Sequence, residues 1–222
     1  GTLATLAVEP LPIGWKPARG AKEGYGRVRE QARIQLAGRT ERRHLHELLP
    51  VAPGRGLACL PAPSPADLFL DFEGDPYVDE GGLEYLFGWV IADPPPAGML
   101  PLDLGPPAYH GHWALDRAAE RRGFEALMDT IMERWASDPQ MHVYHYGAYE
   151  PGAVKRLMGR HATREAEVDR LLRAGRFVDL HAIVKQSLRA SVEQYSIKRL
   201  EPLYGFARVQ PLEEAGAALR VI

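Results

Sequence analysis

Apolar and polar positions alternate most sharply from residue 68 onward. In "LFLDFE" (68–73), Leu68, Leu70 and Phe72 fall on one side, and Phe69, Asp71 and Glu73 on the other. That is the period of a strand. "GDPYVDEGG" follows as a turn-rich loop, and "LEYLFGWVI" (83–91) reads as a second strand, so the pair predicts a hairpin. "ADPPPAGMLPLDLGPP" holds six prolines and reads as a loop; "YHGHWAL" reads as a third strand. The clearest helix covers 117–136, where Phe124, Leu127, Met128, Ile131, Met132 and Trp135 make one apolar stripe. Asp116 is placed to cap it, and Asp138-Pro139 to end it. "MHVYHY" (141–146) is a strand, and "GAYEPGAVKRLMGR" turns from it into a helix with Pro151 at its first position. A helix over 163–174 stops at Gly175, "FVDL" is a short strand, and helices follow over 181–190 and 196–205.

The N-terminal part is less regular. Residues 1–20 read as extended chain with turns, and 22–38 as a basic helix closed by Gly38, with Val28, Ile34 and Leu36 on its apolar side. Residues 50–66, rich in Pro and Gly, read as a linker or surface strap. The expected division is therefore an N-terminal helix and linker over 1–66 and one compact domain over 67–222. The order β-β-β-α-β-α-α-β-α-α predicts an α/β fold, a mixed sheet with helices packed on it, carrying an N-terminal extended and helical appendage.

Composition adds little: 45% of the 222 residues are hydrophobic and 25% charged, as in ordinary globular proteins. No stretch is long and apolar enough to predict a transmembrane helix, and no signal pattern opens the chain. The lone Cys59 fits a reducing, cytoplasmic setting. Charge distribution says more than the net charge of −2. Residues 1–55 hold 10 Lys/Arg and 5 Asp/Glu; residues 56–108 hold no Lys or Arg and 9 acids; residues 150–208 hold 12 Lys/Arg and 7 acids. An acidic segment between two basic ones suits a metal site beside a polyanion-binding surface, and it also suits plain uneven surface charge.

The candidate chemistry sits in the acidic segment. Asp71 and Glu73 point the same way from one strand, where two carboxylates repel and resist desolvation. A divalent cation with oxygen ligands, Mg²⁺ or Mn²⁺, would compensate them directly. An edge strand with its polar face in water would also accommodate them. Gly74-Asp75-Pro76 ends the strand just after Glu73, a common setting for a site. Glu150 has a similar setting, after a strand and at a helix start, where the N-terminal dipole favours a carboxylate.

Three stretches in order, "LFLDFEGDPYVDEGGLEYLFGWV", "HVYHYGAYEPGAVKRLMG" and "FVDLHAIVKQSL…YSIKRLEPLYGF", resemble the YprB-type ribonuclease-H-like domain over about residues 20–210. That domain occurs in RecB-family nucleases, often with a helicase in the same chain, and is related to DnaQ-like exonucleases with four acids of DEDD type. The resemblance implies a ribonuclease-H-like fold and a metal-dependent 3′–5′ exonuclease acting on single-stranded ends of DNA or RNA, with two Mg²⁺ or Mn²⁺ ions. It matches Asp71 and Glu73 to the first motif, Glu150 to the second, and Asp179 to an acid that is more often structural. Ser196, Lys198 and Leu200 match the helix that follows. Lys155, Arg156, Lys198 and Arg199 are then candidates to hold phosphates, and Tyr146 and Tyr149 to stack on a terminal base. The family's last acid, in a Tyr-x-x-x-Asp motif, has no counterpart in "QPLEEAGAALRVI", and the chain begins with Gly1; both features predict a fragment.

Other chemistry is poorly supported. The histidine pairs His44/His46, His110/His112 and His142/His145 with one cysteine give no zinc pattern. His110 or His112 beside the site would have no spacing argument behind it. There is no phosphate-binding P-loop and no G-x-S-x-G elbow. The competing reading is a non-catalytic nucleic-acid or protein-interaction module on the same fold, or a plain structural domain of a helicase machine.

Overall fold

The computed structural model describes residues 1–15, 18–91 and 107–208. The expected proline-rich loop after residue 91, but for Pro107, and the "QPLEEAGAALRVI" segment lie outside the described residues. In chain order the elements are α1 (Leu3–Ala7), α2 (Lys22–Glu41), β1 (His46–Leu48), a short 3₁₀ turn (Gly56–Cys59), β2 (Leu68–Asp75), β3 (Leu83–Ile91), β4 (Ala108–Trp113), α3 (Arg117–Ser137), β5 (Val143–His145), α4 (Tyr149–His161), α5 (Glu165–Arg173), β6 (Phe177–Asp179), α6 (Leu180–Ser187), β7 (Leu188–Ala190), α7 (Ile197–Leu200) and a 3₁₀ turn (Glu201–Tyr204).

The chain forms two compact units, one from Pro53 to Ile183 and one from residues 1–52 with the stretch from Val184 onward. The division expected at residue 66 therefore sits elsewhere, and the C-terminal stretch groups with the N-terminal one. The reason is a non-local pairing: β1 and β7 form an antiparallel two-stranded sheet, His46 opposite Ala190 and Leu48 opposite Leu188. Segments so far apart in sequence leave no local signal of their partnership.

The first unit holds a five-stranded mixed sheet in the order β4-β3-β2-β5-β6. β2 pairs antiparallel with β3, β3 antiparallel with β4, β2 parallel with β5, and β5 parallel with β6. β2 is thus a central strand, not an edge. Leu68, Leu70 and Phe72 are buried and join Phe87, Phe124, Leu127, Met128, Ile131, Val143, Ala153, Val154, Leu157, Val168 and Leu171 in one core. So α3, α4 and α5 contribute their apolar stripes to a single face of the sheet, as the 3.6-residue period on α3 requires. The expected cap holds: the Asp116 carboxylate accepts the Ala119 N–H at 2.7 Å. Asp67 staples the start of β2 to β5, accepting the Ser64 N–H at 2.9 Å and the His142 N–H at 2.8 Å.

In the second unit α2 lies along the β7 segment. Gln31 donates to the Ala190 carbonyl at 2.8 Å and Gln35 to that of Val192 at 2.9 Å. Several expectations change here. Residues 3–7 are a short helix capped by Thr2, rather than extended chain. α2 runs past Gly38 to Glu41 and ends on Arg42 in the left-handed region, φ 52°. Val28 is exposed, and Gly38 is buried against Ser191 because a side chain would not fit there. The helix expected over 181–190 stops at Ser187, where the chain turns into β7, and that over 196–205 is four residues of α-helix and a 3₁₀ turn. In α4, Pro151 is the third residue rather than the first; the first-turn N–H groups have no intrahelical partner, so proline is still tolerated. Among the described residues no helix is long and apolar enough to cross a membrane.

Candidate functional site

The sheet order reverses at β2: the chain goes to β3 and β4 on one side, then returns to β5 and β6 on the other. In open α/β sheets, ligands bind beyond the carboxyl ends of the parallel strands at such a switch point. β2, β5 and β6 run parallel, and the acids singled out in the sequence sit at their ends. Asp71 and Glu73 occupy β2, Glu150 lies in the first turn of α4 after β5, and Asp179 ends β6.

Asp71 and Glu73 share the face opposite to Leu70 and Phe72, as the alternation predicts, and that face is exposed at both. A β-bulge falls between Glu73 and Gly74, which adds twist and turns the strand end aside. Glu150 is different: it is only 4% exposed. Its Oε2 is buried with no hydrogen-bond partner, and His145 Nδ1 lies 3.8 Å away. Burial pushes its carboxyl up to about 7; its own N–H works against this, and the charges of Asp71, Asp179 and Glu73 add to it. Four carboxylates from three strand ends are therefore electrostatically coupled.

Asp179 also has a structural task. Its Oδ1 accepts the N–H of Gly147 at 3.0 Å, of His181 at 2.9 Å and of Ala182 at 3.2 Å. It thereby caps α6 and holds the turn between β5 and α4, in which Gly147 adopts φ 106°. His145 Nδ1–H donates to the Gly147 carbonyl at 2.6 Å. Burial lowers the His145 pKa, against the Gly147 bond and the Asp179 charge, so its ring is held neutral.

Beside the acids lies a cleft of about 580 Å³, lined among others by Glu73, Gly74, Glu84, Tyr149, Glu150 and Arg156. One side of it is a closed polar cluster. Tyr149 donates its hydroxyl to Glu84 Oε2 at 2.7 Å, and Arg156 donates to Glu84 Oε1 at 2.7 Å. Arg156 also lies over the Tyr149 ring, 5.4 Å from its centroid. Burial first, then Glu84, raises the Tyr149 pKa, which keeps the phenol protonated. A side chain at Gly74 would run into Glu84 and the Tyr149 hydroxyl, so only glycine leaves room for this packing. Glu84 is buried and was not singled out in the sequence; its signal is an acid inside an apolar strand, the same one that marked Asp71.

Deeper still, Glu120 is fully buried. It accepts from the Glu84 N–H at 2.7 Å, Arg160 at 2.8 Å and His161 at 2.8 Å, and pairs with Arg117 at 3.1 Å. Burial works to raise its pKa, but these partners together hold it below the usual carboxylate range. The cluster ties α3, α4 and the β2–β3 turn together beneath the cleft.

The remaining candidates scatter. Lys155 is exposed on α4, and Arg156 is engaged with Glu84. Lys198 and Arg199 lie on α7 in the other unit. The Tyr146 ring packs on His181 at 5.1 Å. His110 stacks on Trp89 and His112 meets Phe87 edge-on, both facing away from Asp71 and Glu73. The all-oxygen donor set with an orphaned buried carboxylate oxygen suits a hard divalent cation. Among the described residues, no group of three or more His, Cys, Asp or Glu side chains is arranged so that it could hold a metal ion.

A family model, RNase_H_2 of the RNase H superfamily, matches residues 68–219. No curated protein and no solved structure matches the chain. The match begins on the first residue of β2 and spans all five strands of the mixed sheet and the four acids at their ends: the chain belongs to the RNase H superfamily.

Proposed function

We propose that this chain is a divalent-metal-dependent nuclease domain that hydrolyses phosphodiester bonds of single-stranded DNA or RNA from the 3′ end. The observation that carries it is the buried, unpartnered Glu150 carboxylate at the switch point, with the charges of Asp71, Asp179 and Glu73 close enough to raise its pKa. Superfamily membership supports a nuclease and the use of divalent metal. The YprB-type motifs support placing it among RecB-family nucleases that work with a helicase, in the cytoplasm.

Asp71, Glu73 and Glu150 would hold the cations, with Asp179 contributing through its other oxygen, Oδ2, or through the Gly147 turn alone. When bound, such ions lower the pKa of water and neutralise charge on the phosphate. The chain supplies position. β2 presents two carboxylates two residues apart on one face, and α4 fixes the third by its first turn. The Glu84–Tyr149–Arg156 cluster and the Glu120 network hold α4 against β3 and α3. With no covalent nucleophile needed, such positioning and charge would account for the rate. Lys155, Lys198 and Arg199 are candidates for backbone phosphates, which give affinity but not sequence preference.

The test is degradation of end-labelled single-stranded DNA and RNA in Mn²⁺ by the wild type, Asp71→Asn and Glu150→Gln. Ladders that shorten from the 3′ end in the wild type and vanish in both variants are expected. Intact substrate with the wild type, together with no Mn²⁺-induced rise in melting temperature, would overturn the catalytic reading and leave a non-catalytic interaction module.

A further inference from the structure

β4 is one of the two edge strands of the sheet, and Tyr109 on it is 61% exposed. Its surroundings are unusual. Asp71 stands opposite Gly88 on β3, and Gly88 stands opposite Gly111 on β4. Cross-strand partners share a face, so the row beginning with Asp71 continues as two positions without side chains. Glycine inside a strand weakens it, and it often marks a place where something approaches the backbone closely.

Here the approaching group is Tyr109. A Cβ on Gly111 would lie 3.1 Å from its ring, and a Cβ on Gly88 would lie 2.7 Å from its hydroxyl oxygen. The ring thus lies along the glycine trough, and its hydroxyl ends over Gly88, next to Asp71. Burial, then the charges of Asp71 and Glu73, keep the proton on that oxygen. A neutral phenol there is a hydrogen-bond donor on the same sheet face as the Asp71 and Glu73 carboxylates.

We propose that Tyr109 contacts the substrate at this site, its hydroxyl donating a hydrogen bond to a non-bridging phosphate oxygen of the strand held at Asp71 and Glu73. The assignment rests on the nuclease reading above. No bond is made or broken at Tyr109, and its proton stays on the phenol. A ring that merely fills the trough would serve equally well as phenylalanine; a donor would not.

The experiment compares the wild type, Asp71→Asn, Tyr109→Phe and Gly88→Ala on 5′-labelled single-stranded DNA and RNA in Mn²⁺, with melting temperatures alongside. A lost transition-state donor costs about 10²–10³-fold in turnover at an enclosed site, and a loss of at least about tenfold is expected on this open face. Tyr109→Phe should show it at an unchanged melting temperature, and Gly88→Ala should show it too, since its methyl takes the place of the hydroxyl. If the wild type degrades the strand, Asp71→Asn does not, and Tyr109→Phe keeps the wild-type rate, the Tyr109 assignment is wrong and the nuclease reading stands. If the wild type degrades nothing, the nuclease reading fails, and fluorescence anisotropy of a labelled oligonucleotide in Ca²⁺ decides the contact. Binding weakened about fivefold by Tyr109→Phe, the size of one hydrogen bond, retains it. Equal affinities, or no binding by the wild type, overturn it.

Discussion

Glu150 is where a single residue's environment says most. Burial and three neighbouring carboxylates raise its pKa from 4.5 to about 7. Below pH 4.5 the carboxyl is protonated in folded and unfolded chains alike, and no penalty exists. Between 4.5 and 7 the unfolded chain releases the proton while the folded one retains it, so stability falls as pH rises. Above 7 the penalty is complete, on the order of 3 kcal/mol. In EDTA, chemical denaturation of the wild type should therefore show a midpoint that declines across this window, and Glu150→Gln should remove most of that decline. An unchanged pH profile in the variant would mean that Glu150 is not the titrating group. The sequence marked Glu150 by its place between strand and helix, and Asp71 and Glu73 by alternation. It could not mark Glu120 or Tyr109, whose roles depend on which residues stand opposite them across strands and helices.

Elements were legible in proportion to their own periodicity. α3 carries six apolar positions on one stripe, and its cap, span and buried face follow from that stripe. β2 and β3 announced themselves by composition and by the turn between them. β1 and β7, three residues each, did not, because such short strands exist only through each other. Gly38 shows the same limit: it reads as a helix stop but sits inside α2, where a Cβ would come within 2.6 Å of Ser191 Cβ and 2.8 Å of its Oγ. Alanine is the better helix former by about 1 kcal/mol, yet overpacking this contact costs typically about 1–3 kcal/mol. Gly38→Ala is therefore expected to lower stability in urea denaturation; a gain would show that Ser191 gives way and that helix propensity wins.

At the scale of the whole molecule, the sheet order is what assembles the site. Because the chain reverses direction of travel at β2, the ends of β2, β5 and β6 meet, and acids spread over more than a hundred residues come to act on one another. If that assembly binds cations, Mn²⁺ must stabilise the folded protein, since the unfolded chain has no preformed site. The rise in melting temperature should be larger at pH 8 than at pH 6, because cation and proton compete for Glu150. It should be lost in Asp71→Asn. A shift of the same size at both pH values would mean that the ion binds away from Glu150.

The sequence by itself determined the local facts: which segments are strands and helices, which faces are apolar, and that Asp71 and Glu73 point one way while Leu68, Leu70 and Phe72 point the other. These depend on periods of two and 3.6 residues, which neighbours within a few positions impose. Only the tertiary structure decided that β2 is a central strand, that the stretch from Val184 groups with the N-terminal segment, and that Gly88 and Gly111 clear a trough for Tyr109 beside Asp71. Those depend on strand order and register, set by the burial of one shared core, and no short stretch of chain encodes its partner.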